Sequence, residues 1–228
     1  MLRKQSLAQK INIIRAGVMG SNDGILSVAG IVIGVAGATS NTFAIFISGI
    51  AGMIAGTVSM AMGEYVSVNT ESDSQKKSVE RQEYLLTHNY NQEFALVQQK
   101  YIDSGISSEL AHQATAEMMN KDALVTTVRE KYGFNVNQFT SPYAAAIASM
   151  LSFPTGSVLP LVAITLFPSR IKVIATFVAV IIALSITGYA AAALSNANKP
   201  KSTIRNIASG VITMIVTYLI GLLVGSLA

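Results

Sequence analysis

Five stretches of this chain are long and apolar enough to cross a lipid bilayer, and they limit its possible folds more than any other feature. They cover residues 16–37, 43–68, 143–167, 171–195 and 204–227. A helix needs about 20 consecutive apolar residues to span the hydrocarbon core, and lipid offers no partner for an unpaired backbone group. Only 12% of the residues are charged, and 51% are hydrophobic. The sequence therefore predicts an all-α integral membrane protein with five transmembrane helices.

The segment between the second and third stretches has the opposite character. Residues 69–141 contain most of the acidic residues of the chain, mixed with many Lys and Arg. Apolar residues recur there at helical spacing, first as Phe94, Val97 and Tyr101 and then as Leu110, Ala114 and Met118, with Ser104-Gly105 as a break. We therefore expect a water-exposed insert of about three amphipathic helices.

This pattern gives a three-part organisation. Residues 1–68 form an N-terminal amphipathic segment and the first two transmembrane helices, residues 69–141 form the insert, and residues 142–228 form the last three transmembrane helices. Small residues at a spacing of four, as in Gly30-xxx-Gly34 and Gly221-xxx-Gly225, favour close packing between these helices. An odd number of spans gives no equal inverted halves, so a homodimer is expected to supply the symmetry.

The distribution of basic residues predicts the orientation. Lys and Arg concentrate in the N-terminal segment, the insert and the loop 196–205, whereas only Arg170 and Lys172 fall on the other side. By the positive-inside rule, the N-terminus and the insert are cytosolic and the C-terminus lies on the opposite side. The same rule accounts for the net charge of +4 without a nucleic-acid partner.

Asp23 is the most informative residue of the first span. It stands about halfway along that span, next to Met19 and Asn22. A charged side chain in the middle of a membrane costs several kcal/mol, or about 3 on insertion scales, and usually marks an ion or proton pathway. The alternative is that Ser21, Asn22 and helix-end amides satisfy Asp23 at a break in the helix.

Met60 and Glu64 give the second span a soft and a hard ligand. They are four residues apart and so project from the same face of a helix. A carboxylate with a thioether is a reasonable weak site for a borderline cation such as Fe²⁺, whereas Mg²⁺ or Ca²⁺ favours oxygen alone. Against this, Met is common core filler, and Glu64 is near enough to the helix end to reach the interface.

The chain contains no cysteine, so protein-bound iron–sulfur clusters and Cys-based zinc sites are excluded. No nucleophile–base pair or metal-hydrolase motif falls within a span, which argues against an enzyme. In the insert, Glu71 with Asp73 and Glu80 with Glu83 could gather on neighbouring helical turns. The alternative is a solvated acidic face.

Two longer motifs carry a family resemblance. They are RAGVMGSNDGILSVAG at residues 15–30 and GIAGMIAGTVSMAMGEYVSV at residues 49–68, and SFPTG follows at 152–156. With these motifs the chain resembles the vacuolar iron transporter family over nearly its whole length. The resemblance implies a five-helix dimer that moves Fe²⁺, and often Mn²⁺, out of the cytosol in exchange for protons. It also implies a path between the two protomers.

Asp23 matches the intramembrane aspartate of that family, and Met60 matches its second-helix methionine, both of which line the path. Glu64 follows in the Gly-Glu-Tyr-Val-Ser-Val segment that is common in prokaryotic members. Acidic residues of plant members are replaced here by Ala16 and Gly52, so no role can be transferred to those positions.

The insert departs further from the plant pattern. Glu71 matches a metal-binding glutamate, whereas Ser74, Gln82, Leu85 and Lys131 fall at other ligand positions, and Thr127 and Val128 fall near the methionine pair. Glu80, Glu83 and Glu130 are close enough in sequence to compensate as weak ligands. We therefore predict a weak or absent metal store in the insert.

The resulting hypothesis is a homodimeric Fe²⁺ or Mn²⁺ exporter of a prokaryotic cell membrane, with Co²⁺ and Zn²⁺ also open and no tightly bound cofactor. Its transport path contains Asp23, Met60, Glu64, Asn22 and Met19, and protons are the expected coupling ion. The alternative is a membrane-anchored protein that senses metal or binds a partner without transport.

Overall fold

The structure, a computed structural model, describes residues 7–137 and 140–227, with side chains from Ile13 onward. Seven helices account for nearly all of these residues, and no strand occurs among them. The helices are α1 (Leu7–Ala38), α2 (Thr42–His88), α3 (Tyr90–Asp103), α4 (Ser108–Tyr132), α5 (Pro142–Leu166), α6 (Lys172–Leu194) and α7 (Lys199–Gly225). Five of them, α1, α2, α5, α6 and α7, are long and apolar enough to cross a membrane. The predicted class, an all-α integral membrane protein, is confirmed.

Helix α2 does not end where its apolar stretch ends. We expected a span at 43–68, but α2 continues for 47 residues to His88. Residues 69–88 contain neither glycine nor proline, so nothing in this stretch breaks the helix when its side chains become polar. The first of the three expected insert helices is therefore the continuation of the second span.

The fold divides into two compact units. The insert unit is built on Ser67–Ser141, and the membrane unit comprises Lys10–Val66 and Pro142–Ala228. In the membrane unit, α1 contributes Val28, Val32 and Ile33 to the core, all fully buried. They cluster with Ile45 of α2, Phe153 and Ile164 of α5, Leu184 of α6 and Met214 of α7. Helix α1 is therefore the central helix of its unit.

Glycines bring α1 into direct backbone contact with α7. A Cβ atom on Gly221 would overlap the carbonyl group of Gly34, and one on Gly37 would lie 2.7 Å from the carbonyl oxygen of Tyr218. Backbones that approach so closely gain van der Waals contact, which is the main attraction between helices in lipid. The packing interpretation of Gly30-xxx-Gly34 and Gly221-xxx-Gly225 is confirmed.

In the insert unit, the predicted break between helices is present, but the prediction of which face of α4 is buried was wrong. Helix α3 ends at Asp103, and Gly105 has a φ of +91°, as a turn between helices requires. Helix α4 buries Ala111, Thr115 and Met119 rather than Leu110, which is 56% exposed. Threonine and alanine occupy much of the buried face, so the larger apolar side chains alone gave the wrong register.

Helix α4 also changes direction at Asp122. This residue has an extended backbone, with φ −164° and ψ 99°, inside the helix. Its carboxylate accepts a hydrogen bond from the backbone N–H of Val125 at 2.9 Å. Asp122 thus caps a second helical segment, as aspartate does at ordinary helix starts.

Candidate functional site

Asp23 lies near the middle of α1, and its side chain is exposed on the surface of the membrane unit. The hydroxyl of Ser27, one turn further on, donates a hydrogen bond to Asp23 Oδ1 at 3.1 Å. Helix α1 runs from Leu7 to Ala38 without interruption. The alternative in which Asp23 is satisfied at a helix break is therefore not what the structure contains.

Met19 shares the exposed face of Asp23. It precedes Asp23 by one helical turn, and its side chain is 52% exposed. Residues four apart on a helix are neighbours on its surface. A thioether and a carboxylate thus lie next to each other on the outside of α1.

Asn22, by contrast, is turned into the helix bundle. Its Oδ1 accepts hydrogen bonds from Asn206 Nδ2 of α7 at 2.6 Å and from Thr187 Oγ1 of α6 at 3.2 Å. Asn206 Nδ2 also donates to Thr187 Oγ1 at 3.1 Å and to the carbonyl of Leu184 at 3.0 Å. We call Asn22, Thr187 and Asn206 the asparagine cluster. The cluster fixes the rotation of α1 and so keeps Asp23 pointing outward.

Met60 and Glu64 occupy the second half of the α2 span. Both are half-buried, and Met60 packs against the core of the membrane unit. No hydrogen bond or ion pair of the described residues joins Asp23 to either of them. Within the described part of one chain, no group of three or more His, Asp or Glu side chains could hold a metal ion.

The outward face of α2 is lined with small residues. Ala51, Ala55, Ser59 and Gly63 follow one another at a spacing of four, and all are exposed. Only 11% of the apolar window of α2 is buried inside the chain. The row lies beside Val58 and Met62, which are 56% and 55% exposed, so close approach of another helix backbone is possible only along the row itself.

The acidic residues expected in the insert do not form one cluster. Glu71, Glu80 and Glu83 are exposed on α2. Glu130 is held by cations, since its Oε1 lies 2.8 Å from Arg129 Nη2 and its Oε2 lies 3.4 Å from Lys100 Nζ. Glu130 is thus already neutralised within its own unit.

The pKa shifts of Glu130 on α4 and Tyr101 on α3 agree with the neutralisation of Glu130 by its neighbours. Burial would raise the pKa of the Glu130 carboxyl, but hydrogen bonds from Tyr101, Arg129 and Lys100 outweigh burial and hold the pKa below its usual value. Burial raises the pKa of Tyr101, and its hydrogen bond to Glu130 adds to the effect. Glu130 is therefore a charged partner for the cations at neutral pH.

A buried carboxylate of the insert unit, Glu93, was not recognised in the sequence. Glu93 is 4% exposed, and its two oxygens each lie 3.0 Å from Lys131 Nζ. The fully buried Gln82 donates from Nε2 to Glu93 Oε2 at 2.6 Å. Lys131 and Gln82, which the family resemblance predicted at positions of plant-type metal ligands, thus bind a carboxylate of this chain.

The five spans and the insert together match one known protein family. The model of the VIT family matches residues 14–222, which includes all five spans and the insert. The chain belongs to the VIT family. The resemblance drawn from the two glycine-rich motifs is thereby confirmed.

The relatives of this VIT-family chain carry consistent names. It is 31% identical over 211 residues to a vacuolar iron transporter of Acanthamoeba castellanii, covering 92% of this chain and 78% of the relative. It is 33% identical over 210 residues to vacuolar iron transporter homolog 2 of Oryza sativa subsp. japonica, covering 90% of this chain and 87% of the relative. It is 31% identical over 213 residues to vacuolar iron transporter homolog 2 of Arabidopsis thaliana, covering 93% of this chain and 84% of the relative. The similarity therefore extends over nearly the whole VIT-family chain.

Sequence reasoning missed two features of the membrane unit. Asn206 lies inside the last predicted span, and an amide in a span is itself a signal of a partner across the bundle. Lys172 was used only to assign sidedness, yet it is one of the few buried charged residues of the described chain. Both positions were visible in the sequence, but their partners were not.

Proposed function

We propose that this chain is a homodimeric transporter that moves Fe²⁺ or Mn²⁺ out of the cytosol in exchange for protons. The path runs where two copies meet and is lined by α1 and α2. The observation that carries the proposal is the carboxylate of Asp23, which is exposed near the middle of a membrane-spanning helix of the single chain. The names of the relatives, which specify iron transport, support metal as the substrate.

An exposed carboxylate at this depth requires a cover other than lipid. Facing hydrocarbon, it would cost several kcal/mol, and the single Ser27 hydroxyl bonded to it offsets only part of that. A second copy of the chain would remove Asp23 from lipid and, by two-fold symmetry, place the partner's Asp23 nearby. The small residues on the outer face of α2 support such a close contact.

The ligand chemistry favours a borderline divalent cation. Asp23 and Met19 lie on adjacent turns of α1, and Met60 and Glu64 lie on adjacent turns of α2. A site of carboxylate and thioether groups suits Fe²⁺ better than Mg²⁺ or Ca²⁺. Carboxylates can also exchange a divalent metal ion for protons, since both bind the same oxygens and two carboxylates balance either one M²⁺ or two protons, and this supports antiport.

The orientation follows the distribution of basic residues. We propose that the insert and the N-terminus are cytosolic, that Glu64 lies at the cytosolic entrance, and that the C-terminus is on the other side. The Gly-Glu-Tyr-Val-Ser-Val segment supports a prokaryotic cell membrane, although the relatives named above are eukaryotic and called vacuolar.

We further propose that the insert does not store metal. Glu130 is engaged by Lys100 and Arg129, and Glu93 is engaged by Lys131 and Gln82. A bound metal ion would have to displace ammonium or guanidinium groups that already neutralise these carboxylates. The exposed Glu71, Glu80 and Glu83 remain as weak ligands at most.

Metal flux into proteoliposomes tests the transport proposal. Purified protein is reconstituted with a metal-sensitive dye inside the vesicles, and Fe²⁺ or Mn²⁺ uptake is recorded with and without a pH gradient. We expect uptake that the gradient accelerates, and an Asp23→Asn rate that is lower by about 100-fold or more, because a coordinating oxygen and its charge are lost. Asp73→Asn, which removes an exposed carboxylate paired with Lys76 at 3.1 Å, is the matched control and should transport normally.

Two results would contradict the proposal. Wild-type vesicles without uptake, in a preparation that still binds metal, would favour the sensor alternative. An Asp23→Asn protein that transports at the wild-type rate would remove Asp23 from the path.

The dimer is tested with single cysteines, since the chain has none of its own. Ala55→Cys on the outer face of α2 should form a disulfide-linked dimer in membranes under mild oxidation. Ile182→Cys on α6, which is also exposed, is the control and should remain monomeric. The reverse pattern would place the interface elsewhere.

A further inference from the structure

A cavity lies at the end of the membrane unit where the α1–α2 loop meets the α5–α6 loop. Its volume is about 770 Å³. The polar part of its lining consists of Thr39, Ser40, Ser169, Arg170, Lys172 and Tyr218. Two of these side chains are cationic, and no carboxylate of the described residues lines the cavity. The cavity therefore carries a net positive charge.

Lys172 makes this charge unusual because the side chain is only 4% exposed. Its ammonium group donates to the backbone carbonyl of Ser40 at a distance of 3.4 Å. The only acidic residues of the membrane unit are Asp23 and Glu64, and neither lines the cavity. A buried ammonium group without an opposite charge is costly. An anion that entered the cavity would remove that cost.

The start of α6 adds to the attraction for an anion. The helix begins at Lys172, and the preceding residue, Ile171, provides no side-chain cap. The first-turn residues Val173 and Ile174 both line the cavity. The N–H of Lys172 donates to the carbonyl of Pro168 at 3.0 Å. Those of Val173 and Ile174, by contrast, have no carbonyl partner within the helix, and the N-terminus of a helix carries about half a positive charge. A phosphate group bound here would meet two cationic side chains and a helix N-terminus.

The rest of the lining is apolar and open to the membrane. Ile174 and Val178 of α6 are 66% and 53% exposed, and Phe177 lies on the same wall. The cavity is at the ends of the membrane-spanning helices, which is where lipid headgroups reside. A phosphate group with acyl chains attached would fill both the charged and the apolar parts. A free phosphate ion would leave the apolar part empty.

We propose that this cavity binds the phosphate headgroup of an anionic phospholipid through Arg170 and Lys172, with acyl chains along Ile174 and Val178. The site is separate from Asp23 and does not depend on what the protein transports. Bound lipid would stabilise the end of the membrane unit where α1 and α6 meet.

Thermal unfolding of the full-length protein in detergent tests the proposal. The unfolding midpoint is measured after adding phosphatidylglycerol, phosphatidylcholine or inorganic phosphate, and native mass spectrometry counts the bound lipids. We expect phosphatidylglycerol to raise the midpoint of the wild-type protein by about 5 °C. Phosphatidylcholine and inorganic phosphate should raise it by less than about 1 °C.

Variants locate the effect. Arg170→Gln changes an exposed side chain and should reduce the shift by at least about half, and Lys172→Met, of similar length, should abolish it. If Lys172→Met does not fold, the size of the shift in Arg170→Gln alone still shows whether the lipid binds in this cavity. The matched control, Lys199→Gln with Lys201→Gln, removes two cations at the start of α7 and should keep the full shift.

Three outcomes would overturn the proposal. An equal shift with phosphatidylcholine would mean that the anionic headgroup is irrelevant. A wild-type shift in Arg170→Gln would place lipid elsewhere. A full shift with inorganic phosphate alone would mean that the cavity binds a free anion.

Discussion

The insert unit and the membrane unit differ in how an acidic side chain is buried and paired. In the insert unit, Glu93 is buried and paired with Lys131 and Gln82. In the membrane unit, Asp23 is exposed and accepts a hydrogen bond from Ser27, and it forms no ion pair with any residue that the structure describes. A carboxylate that stabilises a fold is neutralised by that fold, whereas one that binds a passing cation has to remain available. The difference agrees with a structural role for Glu93 and with the transport role that we propose for Asp23.

The largest effect on stability is expected from Lys131→Met in the insert. This change leaves Glu93 as a buried charge without its cation, and we expect the free energy of unfolding to fall by about 3 kcal/mol. Chemical unfolding, followed by circular dichroism, provides the measurement. Adding Glu93→Leu should restore much of the loss, because the pair is then replaced by apolar groups. If Lys131→Met were as stable as wild type, Glu93 would not depend on Lys131.

A smaller effect is expected from Asn206→Leu in the asparagine cluster. This change leaves Asn22 Oδ1 with Thr187 alone, so we expect a loss of about 1.5 kcal/mol. Because the cluster sets the rotation of α1, metal flux should also fall, although no ligand is removed. Ser185→Ala, whose hydroxyl donates only to Ile181 of its own helix, should change neither. A normal flux in Asn206→Leu would show that the cluster does not position Asp23.

Acidification tests Glu130 in the insert. Its pKa is lower in the folded protein than its ordinary value of 4.5, so its interactions stabilise the fold above about pH 4.5. That stabilisation is lost as the pH falls through the folded pKa. We expect less than about 1 kcal/mol, since the cations Lys100 and Arg129 are more than half exposed. Between pH 5.5 and pH 3.5, the free energy of unfolding should fall by more in the wild-type protein than in Glu130→Gln.

The smallest effect on stability is expected at Asp23 itself. Asparagine retains an oxygen that can accept the Ser27 hydrogen bond, so Asp23→Asn should change the free energy of unfolding by less than about 0.5 kcal/mol. The same variant should lose nearly all metal flux. A large loss of stability instead would show that Asp23 is a structural residue like Glu93, and would contradict the difference drawn between the two carboxylates.

Much of the fold was predictable because membrane insertion leaves a strong signal. Runs of apolar residues gave all five spans, and Asp23 stood out because a charge in such a run is costly. Helix ends were harder to predict, as α2 illustrates. Its residues change from apolar to polar near 68, yet they keep the propensity to remain helical up to His88.

Partners across the fold could not be predicted from a single sequence. The pairing of Glu93 with Lys131 joins residues 38 apart, and that of Asn22 with Asn206 joins residues 184 apart. Nothing in the local pattern connects them, because a polar residue such as Asn206 in a span indicates that a partner exists but not which residue it is. The buried Lys172 is similar, since its burial arises from loops that fold over it.

The direct contact between α1 and α7 has a consequence for biosynthesis. The backbone of Gly34 rests against Gly221, which the ribosome reaches about 190 residues later. At usual elongation rates, the first helix waits about 10 to 40 s in the translocation machinery or lipid for its last neighbour. During that time its glycine face is uncovered, so truncation before α7 should leave this face without its partner and send the chain to degradation.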